Sequence, residues 1–190
     1  MSIPVKIVNY FDTLQLLLAD IAKQSDFNSF RYALIDTLMC QEVNTLRNSI
    51  YVAGNGGSFS TASHVATDIS YLFETGIIKA SSITTSSQAQ LTRIANDYGY
   101  EYVFSRDLDS YSKCIKAVLA LSVSGESPNI VNMLKKSRDL EIPTFSLLGF
   151  NGKGPAKDLS DYSVSINSKD FRIVEDMHMI IISSVLSQIS

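Results

Sequence analysis

The stretch that most limits what this chain can become is Gly54-Asn55-Gly56-Gly57-Ser58, set between a short apolar run, Ser49 to Ala53, and a helical pattern that opens at Ser58. A β-branched and aromatic run that ends in small flexible residues and passes into a helix reads as strand, tight loop, helix. Glycines at positions 54, 56 and 57 let the loop turn sharply and bring its backbone close to a ligand. The helix that follows offers unpaired N–H groups and the positive end of its dipole, which favour a phosphate or a carboxylate. Taken alone, the loop fits an anion site and a plain strand-to-helix turn equally well.

A second loop of the same kind separates these readings. Leu121-Ser122-Val123-Ser124-Gly125-Glu126-Ser127-Pro128 follows another apolar run and leads into a helix with Pro128 near its first position, where a missing N–H costs nothing. An ordinary serine cap would account for Ser127 but not for Ser122 and Ser124. Three hydroxyls and a glycine on such a loop can surround a phosphate with neutral donors and helix-end amides.

Around these loops the pattern alternates. Strands are expected at 49–53, 77–82, 115–121, 142–148 and 162–166, and helices at 58–73, 87–96, 101–112, 129–140 and 170–188. Continuous apolar runs such as Ala117 to Leu121 argue a parallel sheet covered on both faces, an α/β doubly wound fold whose ligands bind beyond the carboxyl ends of the strands. Residues 5–47 lack glycine and proline and carry Ile7, Phe11, Leu14, Leu18 and Ile21, then Phe30, Leu34, Leu38 and Val43, at helical spacing. The polar break from Lys23 to Asn28 makes this a helical pair, so one domain over 1–190 is expected, with the pair at 1–47 and the α/β core at 48–190. Leu16 and Leu17 widen the first helix's apolar face, as packing against another subunit or within the chain would require.

Composition narrows the partners. A mean hydropathy of +0.10 with 45% apolar residues suggests surface buried between subunits, hence an oligomer. A net charge of −3, mixed along the chain, leaves no footprint for nucleic acid. Cys40 and Cys114 are far apart, and Met1 to Lys6 lacks a secretory apolar core, so a cytoplasmic location is expected. No run reaches the roughly 20 apolar residues of a membrane span, because Glu175, Asp176 and His178 interrupt the C-terminal stretch.

In combination, the glycine loop, His64, Asn96-Asp97-Tyr98-Gly99-Tyr100, Phe104-Ser105-Arg106, the serine loop and Glu175-Asp176-Met177-His178 resemble the sugar isomerase (SIS) domain. More narrowly the chain resembles the phosphoheptose isomerase family, which converts sedoheptulose 7-phosphate to a heptose 7-phosphate for bacterial surface polysaccharide such as lipopolysaccharide or capsule. The resemblance implies a five-stranded parallel sheet, a homotetramer and active sites built between subunits. It implies phosphate held by Ser58, Ser122, Ser124 and Ser127, with Gly56 and Gly57 beside it, and sugar contacts from Asn55, Asp97 and Glu175.

Ketose–aldose isomerisation needs a base to take a proton beside the carbonyl and an acid to return one through an enediol. By resemblance, Asp68 stands where the family has its catalytic glutamate and Ser183 where it has its catalytic histidine, with His64 nearby on the same helix. Asp68 keeps a carboxylate but reaches one methylene less far, and small misplacements can cost about 100-fold. A serine at 183 has no suitable acidity near neutrality. Val123 likewise replaces a hydroxyl residue usual in the phosphate loop. Some members of the family bind zinc at the positions of His64, Asp68, Glu175 and Ser183, so His64, Asp68 and Glu175 are the metal candidates here, and three ligands suit an open zinc site.

His178 is the nearest substitute for the missing histidine, but five residues at about 100° each turn it some 140° away from Ser183. It reads as a structural histidine in a packed helix. Arg93 and Arg106 fit either an anion's neighbourhood or a solvated surface. A rival to catalysis is a phosphosugar-binding or protein-binding SIS protein, similar to the replication-initiator-associating members of the family.

Overall fold

The computed structural model describes residues 5–40, 46–85 and 87–189. Five strands form one parallel sheet: β1 (Ser49–Gly54), β2 (Ser81–Thr84), β3 (Ile115–Ser122), β4 (Thr144–Leu148) and β5 (Tyr162–Ser165), in the order β2-β1-β3-β4-β5. The central strands β1, β3 and β4 are buried along their whole length, as continuous apolar runs require when helices cover both faces. From β1 the chain steps outward to β2, then crosses back to β3 on β1's other side. The switch point, and with it the crevice where such sheets bind ligands, lies at the carboxyl ends of β1 and β3.

One face carries the helices α1 (Val5–Ile21), α2 (Ser25–Met39), α3 (Gly57–Glu74) and α7 (Phe171–Leu186). Phe30, Leu34 and Leu38 of α2, Val65 and Ile69 of α3, and Met177 and Ile181 of α7 close over Leu119, Leu121 and Phe145 there. The other face carries α4 (Gln88–Tyr98), α5 (Val103–Tyr111) and α6 (Pro128–Asp139), which bury Ile94, Phe104, Leu108, Ile130 and Met133 against Tyr51, Val118 and Ala120. Tyr51 Oη donates to the buried carboxylate of Asp107 at 2.9 Å, and burial pushes this phenol well above its usual range. Tyr10 of α1 donates to Asp176 of α7 at 2.5 Å, which ties the N-terminal pair to the last helix. Burial and this carboxylate together push Tyr10 up to about 12.

Three expectations shift. The second strand covers Ser81–Thr84 rather than 77–82: Ile77 and Ile78 spend their N–H groups on Leu72 O at the end of α3, and Lys79 and Ala80 spend theirs on Leu38 O, so 77–80 form a connector to which no ladder is open. The expected helix at 101–112 is a 3₁₀ turn at Tyr100–Tyr102 followed by α5, because Gly99, at φ +102°, ends α4 and the chain must restart. The fourth strand begins at Thr144, since Pro143 has no N–H to give a ladder. In the N-terminal pair Ile21, Phe30, Leu34 and Leu38 are buried, whereas Phe11 is 66% and Leu16 73% exposed. Val43 lies outside the described residues.

Candidate active site

The glycine loop leaves β1 at the sheet's carboxyl edge and becomes α3 within three residues. Gly54 is fixed by contact: a Cβ there would meet the backbone oxygen of Ser58 at 2.6 Å, so only glycine lets the turn close this tightly. Gly56 caps α3 without any side-chain hydrogen bond. The serine loop leaves the adjacent strand β3 and becomes α6. Its hydroxyls shape it from within: Ser122 Oγ accepts from Gly125 N–H at 3.0 Å and Ser124 Oγ from Glu126 N–H at 3.1 Å. Both oxygens act as acceptors toward the backbone, which leaves each O–H proton free to donate outward. Ser127 occupies the N-cap position of α6 but makes no capping bond, so its hydroxyl is also uncommitted to the helix.

The two loops meet over a cleft of about 190 Å³ lined by Asn55, Ser58, Ser122, Val123, Ser124, Ser127 and Glu175. Four hydroxyls and the start of α3 and α6 converge on one small volume, as a tetrahedral anion requires. Val123 adds an apolar methyl surface to this lining. Asn55 is held in place by a clasp that sequence reasoning missed: it exchanges two hydrogen bonds with the buried Asn129, at 2.9 and 2.8 Å, and accepts a third from Tyr100 Oη at 2.9 Å. Tyr100 was at hand in the Asn96 to Tyr100 motif; Asn129 was signalled only by its place after Pro128 at the helix start.

Glu175 is the one ionisable side chain in this lining. A Cβ on Gly57 would come within 2.2 Å of its carboxylate, so the carboxylate rests against the Cα of the first residue of α3. On the far side of the glycine loop a larger cleft of about 590 Å³ opens, lined by Asn55, Gly56, Phe59, Thr84, Thr85 and Tyr100 among others. Asn55 borders both.

The remaining candidates lie apart from the cleft within one protomer. His64 Nε2 and Asp68 Oδ2 pair at 3.6 Å on the solvent side of α3. Asp68 is ten residues beyond Ser58, about 15 Å along the helix. Ser183 is exposed, eight residues or about 12 Å beyond Glu175 on α7. Among the described residues no group of three His, Cys, Asp or Glu side chains could hold a metal ion. His64 and Asp68 supply two donors, Glu175 is not brought to them, and the residues of one protomer therefore do not gather into a zinc centre. Asp97 pairs with Arg93 at 3.6 Å outside the cleft, and Arg106 stacks on the Tyr98 ring at 3.5 Å, so both arginines are engaged on the surface. His178 is fully buried in α7, and burial drives it down to about 3, which keeps it neutral.

A parallel sheet whose switch point carries a glycine loop and a serine loop, both opening onto helix N-termini, defines an α/β domain of the kind whose geometry suits an anionic ligand. The SIS domain model matches residues 9–149. The phosphoheptose isomerase of Helicobacter pylori strain HPAG1 is 39% identical over 144 residues, 74% of each chain, and phosphoheptose isomerase 1 of Campylobacter jejuni is 32% identical over 167 residues, 87% of this chain and 88% of that one. Among solved structures, the fold superposes on phosphoheptose isomerase from Neisseria gonorrhoeae with a TM-score of 0.81 at 19% identity, covering 97% and 96% of the two chains. That from Francisella tularensis gives 0.81 at 21% identity, covering 100% and 98%. The chain belongs to the SIS-domain family, in its phosphoheptose isomerase branch.

Proposed function

We propose that this protein is a sugar-phosphate isomerase of the phosphoheptose type, acting on sedoheptulose 7-phosphate through an enediol, with turnover limited by its own departures at the acid–base positions. The observation that carries this reading is the convergence of Ser58, Ser122, Ser124 and Ser127 on one phosphate-sized cleft at the switch point of the sheet. The serine hydroxyls and helix-end amides take the phosphate, and the clasped Asn55 orients the sugar beside it. Asp68 is the base that takes the proton beside the carbonyl. Ser183, where the family's histidine would stand, leaves proton return poorly served.

Asp68 and Ser183 lie too far along their helices to face a cleft-bound phosphate of their own protomer at close range, which supports a homotetramer with active sites completed between subunits. Large exposed apolar side chains on three helices of one face, Phe11, Leu16, Tyr71 and Ile180, give such an assembly its contact surface. No helix among the described residues is long and apolar enough to cross a membrane, in keeping with a cytoplasmic enzyme that supplies heptose phosphate for surface polysaccharide. The test is incubation of purified protein with sedoheptulose 7-phosphate while aldose formation is followed, with binding titrated in parallel. Ser124→Leu fills the cleft and is expected to abolish binding; unchanged affinity would place the anion elsewhere.

A second reading is favoured by one observation, that no acid–base side chain other than Glu175 lines the cleft. It is a protein of the same fold that binds phosphosugar without converting it. Ser124-dependent binding with no aldose formed would select it.

A further inference from the structure

The carboxylate of Glu175 sits in a cleft otherwise made for an anion. It lines the same volume as the four serines, lies against Gly57 at the start of α3, and has no hydrogen-bond or ion-pair partner among the described residues. A structural carboxylate would be tied to an arginine, a lysine or an amide; this one is held only by the shape of the loop. Its charge faces the position a phosphate would take.

We infer that Glu175 is a specificity-determining residue, which makes the cleft reject bare phosphate and accept phosphate only when a polyhydroxylated chain is attached. The inference rests on the phosphate-cleft reading above and adds the basis of its selectivity. Inorganic phosphate or sulfate entering the cleft meets the serine donors but also a like charge at close range, and in a half-buried site such a pair costs several-fold to many-fold in affinity. A sugar phosphate meets the same repulsion and offsets it, because the hydroxyls beside its phosphate donate to the Glu175 oxygens. A hydrogen bond to a charged acceptor is worth about twice a neutral one. The carboxylate thus costs affinity for the bare anion and not for the sugar phosphate, and selectivity is the difference. Glycine at 57 is part of the device, since any side chain there would displace the carboxylate from this position.

The experiment is calorimetric titration of wild type and Glu175→Gln with inorganic phosphate and, separately, with sedoheptulose 7-phosphate. Glutamine keeps the shape and removes the charge. The expected result is a gain of about tenfold or more for inorganic phosphate in Glu175→Gln, with the sugar phosphate unchanged or weakened, so that the ratio of the two affinities collapses. Adding Ser124→Leu to the variant should remove the gained phosphate binding and so locate it in this cleft. Inorganic phosphate affinity that is unchanged or lower in Glu175→Gln overturns the inference, and if wild type still binds the sugar phosphate through Ser124 the cleft reading stands without it. Failure of both proteins to bind either ligand overturns the two together.

Discussion

Lowering the pH should destabilise this protein through a single buried imidazole. His178 is fully buried on the core stripe of α7 with Val174, Met177, Ile181 and Ile182, and neither ring nitrogen has a hydrogen-bond partner among the described residues. Burial holds it down to about 3, against an ordinary value near 6.5. Because the folded-state value is depressed, its stability contribution is fully present above the unfolded value and is lost as pH falls from 6.5 toward 3: the unfolded chain takes up a proton in that window and the folded one does not. With those two values, going from pH 7 to pH 5 costs about 2 kcal/mol from this residue alone. That is a large share of the roughly 5–15 kcal/mol that holds a domain folded. His178→Leu removes both the proton site and two unpartnered polar atoms, so the variant should be the more stable at pH 7, by about 1 kcal/mol, and its advantage should widen by about 2 kcal/mol at pH 5. Urea unfolding of the two proteins at both pH values, at one fixed protein concentration because the chain is expected to assemble, reads the difference directly. An advantage that stays constant between pH 7 and pH 5 would refute the reasoning, since every carboxylate titrating in that range is common to both proteins.

Other outcomes follow from the site and the surface. Gly54→Ala should destabilise by about 1–3 kcal/mol, because its Cβ meets the backbone of Ser58 rather than a side chain that can swing away, and thermal unfolding checks this. Ser183→His should raise turnover on sedoheptulose 7-phosphate, and adding Asp68→Glu should raise it further than the sum if the two groups act as a pair; a general acid or base contributes typically 100- to 10,000-fold. Wild-type turnover of order 10 per second, or no response to the double replacement in a protein that still binds, would defeat that account. Light scattering at micromolar concentration should give a tetramer mass, and a monomer would remove the intersubunit active site.

The chain's local chemistry announced most of the fold and half of the site. Apolar runs bounded by glycine and serine announce buried parallel strands, and the two loops that follow β1 and β3 announce an anion site, because strand end, flexible loop and helix start are neighbours in sequence as well as in space. The N-terminal pair was legible for the same reason, from helical spacing and one polar break. Where the outcome depended on residues distant in sequence, the pattern misled or was silent. Ile77 and Ile78 look like a strand and become a connector, since their own N–H groups turn back to Leu72 at the end of α3 and the two that follow go to Leu38, about forty positions earlier. Asn55 is immobilised by Asn129, 74 positions away, and the carboxylate that comes to rest on Gly57 is brought there by the last helix. His64 and Asp68 share a helix face, as their spacing of four dictates, but which face of α3 meets solvent is set by the elements packed against it, and this pair falls on the solvent side. Side-chain type and short-range spacing settle what an element is; which elements press their ends together is settled by the packing of the whole core, and that is where the single charge in the phosphate cleft was decided.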